Sequence, residues 1–110
     1  MKHIKELKKV LRIYIDNTDS FNGEALWKYI LNKANEHKLA GATVYKAVAG
    51  VGSHNTIHTF DIFNLSAKMP IVIEIIEEQN RIDSFLNSLE GALKEAFVTI
   101  HSVETIKYKA

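Results

Sequence analysis

Residues 41–53 read Gly-Ala-Thr-Val-Tyr-Lys-Ala-Val-Ala-Gly-Val-Gly-Ser, and residues 70–76 read Pro-Ile-Val-Ile-Glu-Ile-Ile. The first segment is rich in residues that favour strands and ends in two glycines one residue apart, which predicts a strand over Thr43–Val51 and an exit into a loop. The second segment places isoleucine at every other position and begins with proline, which predicts a central strand. Two strands joined by a long loop therefore decide the fold.

Strands are also predicted towards both ends of the chain. Val10–Ile15 alternates in the way a pleated strand does, whereas the lysine-rich stretch before it, residues 2–9, is expected to be a solvated lead-in. Phe97–Ile100 and Val103–Tyr108 predict the last strand, and the change of alternation at residues 101–102 predicts a bulge or corner within it.

Two helices are predicted between these strands. Asn22 offers an acceptor for the free amides of a helix start, so the first helix is expected over residues 23–38, with Gly41 as its terminator. Asn80–Lys94 carries apolar residues at helical spacing, which predicts an amphipathic second helix that contains Gly91.

The resulting order predicts an α+β fold. Strand, helix, strand, loop, strand, helix and strand make the ferredoxin-like βαββαβ sandwich, with two helices on one face of a mainly antiparallel sheet, as a single domain over residues 1–110. The other sheet face has no helix to cover it, although Tyr14, Val72 and Ile76 are expected there. An uncovered apolar face predicts a closed homo-oligomer that packs sheet against sheet.

Composition excludes several functions. The chain has 110 residues with 14 basic and 13 acidic side chains, a net charge of +1, so its overall field attracts neither nucleic acid nor an anionic membrane. No apolar run approaches the ~20 residues of a membrane helix, so no membrane insertion is expected. The absence of cysteine excludes thiol chemistry and fits a cytoplasmic location. Because no catalytic constellation is recognisable, we expect no enzyme.

The loop after the two glycines leaves alternatives open. His54, His58 and Asp61 could bind a divalent metal, with His101 joining if the fold brings the last strand near. Equally, they could be polar loop residues, with His58 forming hydrogen bonds at the base of the loop. Several large apolar side chains in the same loop predict that much of it is ordered, as a further hairpin or against a neighbouring subunit.

The glycines and nearby basic residues suggest where an anion could bind. Gly50 and Gly52 permit positive φ and close backbone approach, either for a strand exit or for an anion held on exposed amides. Arg12, Lys46 and Lys107 could supply positive charge to a cleft, or could be solvated or ion-paired.

Several segments in the right order carry a resemblance to a known family. They are Leu11–Ile15, residues 38–44, residues 49–52, residues 57–59, residues 64–66 and residues 70–74. Together they resemble a widespread family of small PII-like proteins described only as a domain of unknown function, over about Lys8 to Tyr108. That family is related in fold to the PII nitrogen-regulatory proteins.

The resemblance implies a function. PII proteins form trimers, bind adenine nucleotides in clefts between subunits, and carry a Gly-x-Gly motif at the base of an effector loop. It therefore implies a homotrimeric regulatory or sensor protein that binds a small anionic ligand such as AMP, ADP or ATP, needs no cofactor and acts on an unidentified protein target. The candidate ligand-binding residues are Gly50, Gly52, Ser53, His58, Arg12 and Lys107.

This chain also departs from the PII pattern. PII proteins have a glycine-rich phosphate loop between the second helix and the last strand, whereas here Lys94–Phe97 is expected to be short and without glycine. No tyrosine stands between Ser53 and Met69 for uridylylation, so the nitrogen-sensing role does not carry over. Glu77 and Glu78 are expected at a solvated strand edge. The alternatives are a metal-binding trimer of the copper-tolerance type, which shares this fold, and a protein-interaction scaffold.

Overall fold

The computed structural model describes residues 2–51, 57–59 and 68–110. Its strands are β1 (Lys2–Asp16), β2 (Ser20–Phe21), β3 (Glu24–Ala25), β4 (Ala42–Lys46), β5 (Ala49–Val51), β6 (Ile57–Thr59), β7 (Pro70–Glu77) and β8 (Phe97–Lys109). Its helices are α1 (Leu26–Glu36) and α2 (Gln79–Ser88).

The four longest strands form one sheet in the order β4-β7-β1-β8, and each neighbouring pair is antiparallel. The connection from β1 to β4 runs through α1, and the connection from β7 to β8 runs through α2. These crossovers make the ferredoxin-like βαββαβ arrangement, so the predicted α+β fold class is confirmed. Two short ribbons, β2-β3 and β5-β6, are added to it.

Both helices pack on the sheet face that carries Ile71, Ile73 and Ile75 of β7. Because side chains alternate along a strand, every second residue of β1 and β7 points to this face. The central core consists of Leu11, Ile13 and Ile15 of β1, Ile71, Ile73 and Ile75 of β7, Leu26, Ile30 and Ala34 of α1, Ile82 and Phe85 of α2, and Leu89 and Ala92 just beyond it. In the described part of the chain, no helix covers the opposite face, which we call the outer face.

The first and last strands of the chain, β1 and β8, are longer than predicted. β1 pairs with β8 without interruption from Lys2 opposite Lys109 to Tyr14 opposite Phe97, whereas β7 pairs with only the second half of β1. The lead-in is solvent-exposed as predicted but is part of the strand, and the predicted bulge at residues 101–102 is wrong. Past the end of β7, β1 and β8 form an exposed two-stranded ribbon. Because neither face of this ribbon is buried, apolar and polar residues do not have to alternate, and the sequence pattern does not show the strand.

The first helix starts later than predicted. Asn22 and Gly23 have φ values of 52° and 81° and form a tight turn between β2 and β3, so Asn22 does not begin a helix. An Asn-Gly pair favours such a turn because both central residues need positive φ. Instead α1 begins at Leu26 after Ala25, and no described side chain caps it.

The first helix ends without a glycine. Lys38 has a φ of 54°, and its amide donates to the Asn35 carbonyl at 3.0 Å. The next amide, of Leu39, reaches back to the Ala34 carbonyl at 3.1 Å. This pair of hydrogen bonds is the Schellman motif, so the predicted terminator Gly41 plays no part in it.

The second helix ends at Ser88, before the predicted Lys94. Helical spacing persists past that point because Leu89 is still buried, while the Ala92 amide donates to the Leu89 carbonyl in a turn. The connection to β8 is therefore residues 89–96. It contains Gly91, so the prediction of a short connection without glycine was wrong.

The predicted strand over residues 43–51 is divided into β4 and β5. The break falls at residues 47–48, where the Ala47 amide donates to the Pro70 carbonyl at 2.9 Å. After it, β5 pairs with β6, with Gly50 opposite His58. A further hairpin is one of the two alternatives predicted for the loop; the β5-β6 ribbon is a hairpin, but its first strand belongs to the predicted strand that precedes the loop.

Candidate functional site at one end of the sheet

Three strands meet at the sheet end from which the 47–69 connection leaves. The Asn17 amide donates to the Met69 carbonyl at 2.9 Å, and the Asn17 Oδ1 accepts from the Met69 amide at 2.8 Å. With the hydrogen bond from Ala47 to Pro70, these contacts join the ends of β1 and β4 to the start of β7. The base of the connection is therefore held by hydrogen bonds on both sides.

Gly50 lies directly against Pro70 at this base. A Cβ atom built on Gly50 would stand 2.8 Å from the Pro70 Cγ, a distance that real Cβ atoms do not adopt. Gly50 has no positive φ, so the property of glycine used here is the close approach to Pro70. Gly52 and Ser53 lie outside the described residues, and His58 is described only through its backbone in β6.

A cleft of about 320 Å³ opens beside the same base, and its lining residues are Asn17, Trp27, Val44, Lys46 and Ile71. We call it the Trp27 cleft. Trp27 comes from the first turn of α1 and Lys46 from the end of the edge strand β4. The sequence names Lys46 as a possible cation but gives no sign that Trp27 lines a cleft. No local pattern distinguishes a tryptophan in the core from one that lines a cleft.

A second cavity of about 380 Å³ lies along α1 and β4. Its lining residues are Leu31, Asn32, Ala34, Asn35, Leu39 and Ala42, none of which carries a charge. Among the described lining residues, the charge of Lys46 distinguishes the Trp27 cleft from this cavity.

Arg12 and Lys107 do not lie together. Arg12 stands opposite Glu74 on the outer face, and its Nε donates to the Glu74 Oε2 at 2.9 Å. This hydrogen bond raises the pKa of the Arg12 guanidinium. Lys107 pairs with Ile4 in the ribbon, eight positions along β1 from Arg12, or about 27 Å at the rise of a strand. Within one chain the two cations therefore do not line one cleft, and Arg12 is ion-paired, which is one of the alternatives predicted for it.

Glu77 is buried, contrary to the prediction of a solvated edge. Its side chain is 2% exposed and accepts hydrogen bonds from the Ala40 amide at 2.8 Å and the Glu78 amide at 3.0 Å. Arg81 lies 3.3 Å from the carboxylate and Lys8 3.9 Å from it. Burial acts to raise the pKa of Glu77, but the two amides and the two cations together lower it below its ordinary value.

Arg81 links this carboxylate to the end of α1. Its guanidinium donates to the carbonyl of His37 and, at 3.0 Å, to that of Lys38. Carbonyls at a helix C-terminus lack partners within the helix and carry partial negative charge, so a guanidinium stabilises them. Glu77 and Arg81 thereby join the α1–β4 turn to the start of α2, and this role is structural.

The described residues do not test the alternative of a metal site in the loop. His54 and Asp61 lie outside them, and the part of the chain that is described contains no group of three or more His, Cys, Asp or Glu positioned to hold a metal ion. His101 lies on β8 opposite Val10, on the outer face. Neither described helix is long and apolar enough to cross a membrane.

Residues 8–105 match DUF190, a family described as "Uncharacterized ACR". The chain belongs to the DUF190 family. A UPF0166 protein of Aquifex aeolicus is 39% identical over 99 residues, which cover 90% of this chain and 93% of that protein. A UPF0166 protein of Methanocaldococcus jannaschii is 36% identical over 86 residues, covering 78% and 79% of the two chains. The predicted resemblance to a domain of unknown function is confirmed.

Solved structures with the same fold are PII-like. CPII from Thiomonas intermedia, a nitrogen regulatory PII-like protein solved with ADP, AMP and bicarbonate, superposes with a TM-score of 0.70 over 93% of this chain and 91% of that chain. A candidate PII-like signaling protein from Thermus thermophilus superposes at 0.59 over 96% and 92%. Sequence identities are 13% and 17%, so the likeness concerns the fold. This DUF190 chain therefore has a PII-like fold.

Proposed function

We propose that this DUF190 chain is a PII-like regulatory protein that binds a small anionic ligand, an adenine nucleotide, in clefts between subunits near Gly50–Ser53. The observation that carries the proposal is the match of nearly the whole fold to CPII, a protein solved with ADP and AMP. Gly50, which packs on Pro70, lies at the loop base near which the ligand is proposed to bind.

The proposed assembly is a homotrimer. On the outer face Tyr14 is 38% exposed and Phe97 67% exposed, with ring centroids 5.9 Å apart, and Tyr45 is 50% exposed. Exposed apolar patches of this kind mark association surfaces. Contact between the outer faces of neighbouring subunits would cover these rings and would create the clefts in which the nucleotide is proposed to bind.

The proposed role is signalling rather than catalysis. The candidate site offers an indole, an ammonium and backbone groups, and its described residues include no nucleophile beside a general base. Binding that alters the base of the 47–69 connection could then be sensed by a protein target. The chain is proposed to act in the cytoplasm, where a protein without cysteine loses nothing to the reducing conditions.

Calorimetry and thermal unfolding with AMP, ADP, ATP and cyclic AMP test the proposal, with UMP as the control for base identity. A nucleotide at one hundred times its Kd should stabilise the native protein by about 2.7 kcal/mol. Adenine nucleotides should raise the Tm and UMP should not. Absence of heat and of a Tm shift with every nucleotide would overturn the proposal, and a shift with Zn²⁺ or Cu²⁺ alone would favour the metal-binding alternative.

A further inference from the structure

We propose that the far end of the β1-β8 ribbon is a docking surface for an anionic membrane, with its lysines on lipid phosphates and its apolar side chains among the headgroups. This surface is separate from the proposed nucleotide site. The ribbon consists of seven residue pairs past the end of β7, from Lys2 opposite Lys109 to Lys8 opposite Val103. At the rise of a strand these pairs span about 23 Å. The ribbon therefore projects from the body of the fold and can reach a flat surface.

The positive charge of the chain is concentrated at the far end of this ribbon. We call the last four residue pairs the ribbon tip; they are Lys2 opposite Lys109, His3 opposite Tyr108, Ile4 opposite Lys107 and Lys5 opposite Ile106. All eight residues are exposed, and they include four lysines and no acidic residue. Because the whole chain has a net charge of +1 and the tip +4, the remaining residues carry a net charge of −3. Such an uneven distribution favours contact with a polyanion at the basic end.

Three lysines of the ribbon tip lie on one face without a counter-charge. Lys2, Lys107 and Lys109 share the outer face because side chains alternate along each strand. The ion pairs formed among the described residues include none of these three. On the other face Lys5 is 3.9 Å from Glu104, and both side chains are more than half exposed. Like charges directly opposite each other destabilise a sheet, so the pair of Lys2 and Lys109 gains stability from a bound anion.

The apolar side chains of the ribbon tip favour a membrane over a nucleic acid. Ile4 is 40% exposed, Ile106 43% and Tyr108 65%. A nucleic-acid backbone would contact the lysines and leave these three side chains in water. The interfacial zone of a membrane accepts apolar groups and tyrosine rings, while lysines lay their stems along it and keep their ammonium groups at the phosphates. A membrane surface therefore uses both the charged and the apolar side chains of the tip.

Flotation with vesicles of phosphatidylserine and phosphatidylcholine in equal parts tests the proposal. The native chain should bind these vesicles but not vesicles of phosphatidylcholine alone, and added NaCl should weaken the binding because salt screens exposed charges. Each lysine near an anionic surface contributes about fivefold to binding. The triple variant Lys2→Gln, Lys107→Gln and Lys109→Gln should therefore bind about a hundredfold more weakly.

A matched triple variant controls for the net charge. Lys28→Gln, Lys38→Gln and Lys94→Gln together remove the same charge at exposed positions outside the ribbon. Because attraction to a charged surface falls off within a Debye length, this variant should bind the mixed vesicles within about twofold of the native chain. Tyr108→Ser keeps every charge and should weaken the binding about fivefold, because it removes an apolar ring. Circular dichroism verifies that all three variants fold.

The possible outcomes distinguish a membrane from other partners. Absence of binding to the mixed vesicles, or equal losses in the two triple variants, would overturn the proposal. Binding to a labelled DNA duplex without binding to the vesicles would show that the tip takes a nucleic acid instead. A change of the light-scattering mass in the ribbon variant, with vesicle binding unchanged, would show that a second copy of the chain contacts the tip.

Discussion

The buried carboxylate of Glu77 accepts a hydrogen bond at 2.8 Å from the amide of Ala40, 37 residues earlier in the chain. Replacing Glu77 by glutamine keeps the shape but removes the charge that the two amides, Arg81 and Lys8 face. We expect Glu77→Gln to lower the free energy of unfolding at pH 7 by about 1–3 kcal/mol, measured by urea denaturation. Glu78→Gln, at an exposed neighbour, should stay within about 0.5 kcal/mol. Equal stability of the two variants would contradict the role assigned to Glu77.

Low pH should remove the stabilisation that the Glu77 carboxylate supplies. The pKa of Glu77 is lower in the folded chain than its ordinary value, so the unfolded state takes up the proton first as the pH falls. The stabilisation is complete above the ordinary glutamate pKa of about 4.3 and is lost as the pH falls through the lower folded value. The stability difference between the native chain and Glu77→Gln should therefore be constant from about pH 6 to 7 and shrink below about pH 4. A difference that grows on acidification would contradict this sign.

The turn at Gly23 gives a matched pair of glycine substitutions. Gly23 has a φ of 81°, where an alanine is strained, while Gly91 has open space around it and no positive φ. Gly23→Ala should lower the free energy of unfolding by about 1–2 kcal/mol, and Gly91→Ala should leave it within about 0.5 kcal/mol. Urea denaturation of the two variants measures both values, and equal losses would mean that the turn is not as described.

Lysine-to-glycine changes in and just after α1 should act in opposite directions. Lys38 holds a φ of 54°, which glycine adopts without strain, so Lys38→Gly should raise the free energy of unfolding by about 0.5–1 kcal/mol. Lys28→Gly, within the helix, should lower it by about 1 kcal/mol. Thermal unfolding followed by circular dichroism compares them, and a loss of stability in Lys38→Gly would contradict the Schellman geometry.

Gly50 should tolerate a side chain less well than Gly41. An added Cβ on Gly50 meets Pro70 at 2.8 Å, and a Cβ on Gly41 meets nothing within 4 Å. Gly50→Ala should therefore destabilise the chain by about 1–3 kcal/mol through overpacking and should weaken ADP binding, while Gly41→Ala should change neither. Thermal unfolding and calorimetry supply the two readouts. If Gly50→Ala is destabilised but binds ADP with the native affinity, the loop base is not part of the ligand site.

Phe97 on the outer face tests the proposed assembly. The native chain should scatter light as three times the 12.5 kDa of one chain. Phe97→Asp places a charge beside Tyr14 in the proposed contact, so the mass should fall towards that of one chain at micromolar concentration. Ser84→Asp, at an exposed position on α2, should keep the native mass. If the native chain is a monomer, the proposed trimer is wrong. If Phe97→Asp is still a trimer, the interface does not include Phe97.

The periodicity of apolar residues predicts an element and its core face correctly where one side of that element is buried. The alternating isoleucines of β7 and the apolar stripe of α2 predict both elements and their core faces, because each repeat is imposed by burial on a single side. Element boundaries were less reliable. The ribbon of β1 and β8 has no buried face, and the buried Leu89 continues the helical spacing beyond the end of α2.

The candidate site could be predicted only in part. The sequence indicates Gly50 at the loop base and Lys46 as a possible cation, but it shows neither that Arg12 pairs with Glu74 nor that Glu77 is buried. Both facts depend on contacts between residues far apart in the chain. Arg12 is paired with Glu74 across two strands, and no local rule identifies which carboxylate a strand register will present.

The sequence by itself determined the order of the elements, the two-layer fold and the family, since these follow from periodicity, turn residues and matched segments. Only the tertiary structure decided that Glu77 is buried, that Gly50 packs on Pro70 and that Trp27 and Lys46 line one cleft. The physical reason is the separation of the residues along the chain. Periodicity shows which side of an element is buried, whereas a site depends on the register and packing of elements that are distant in the chain.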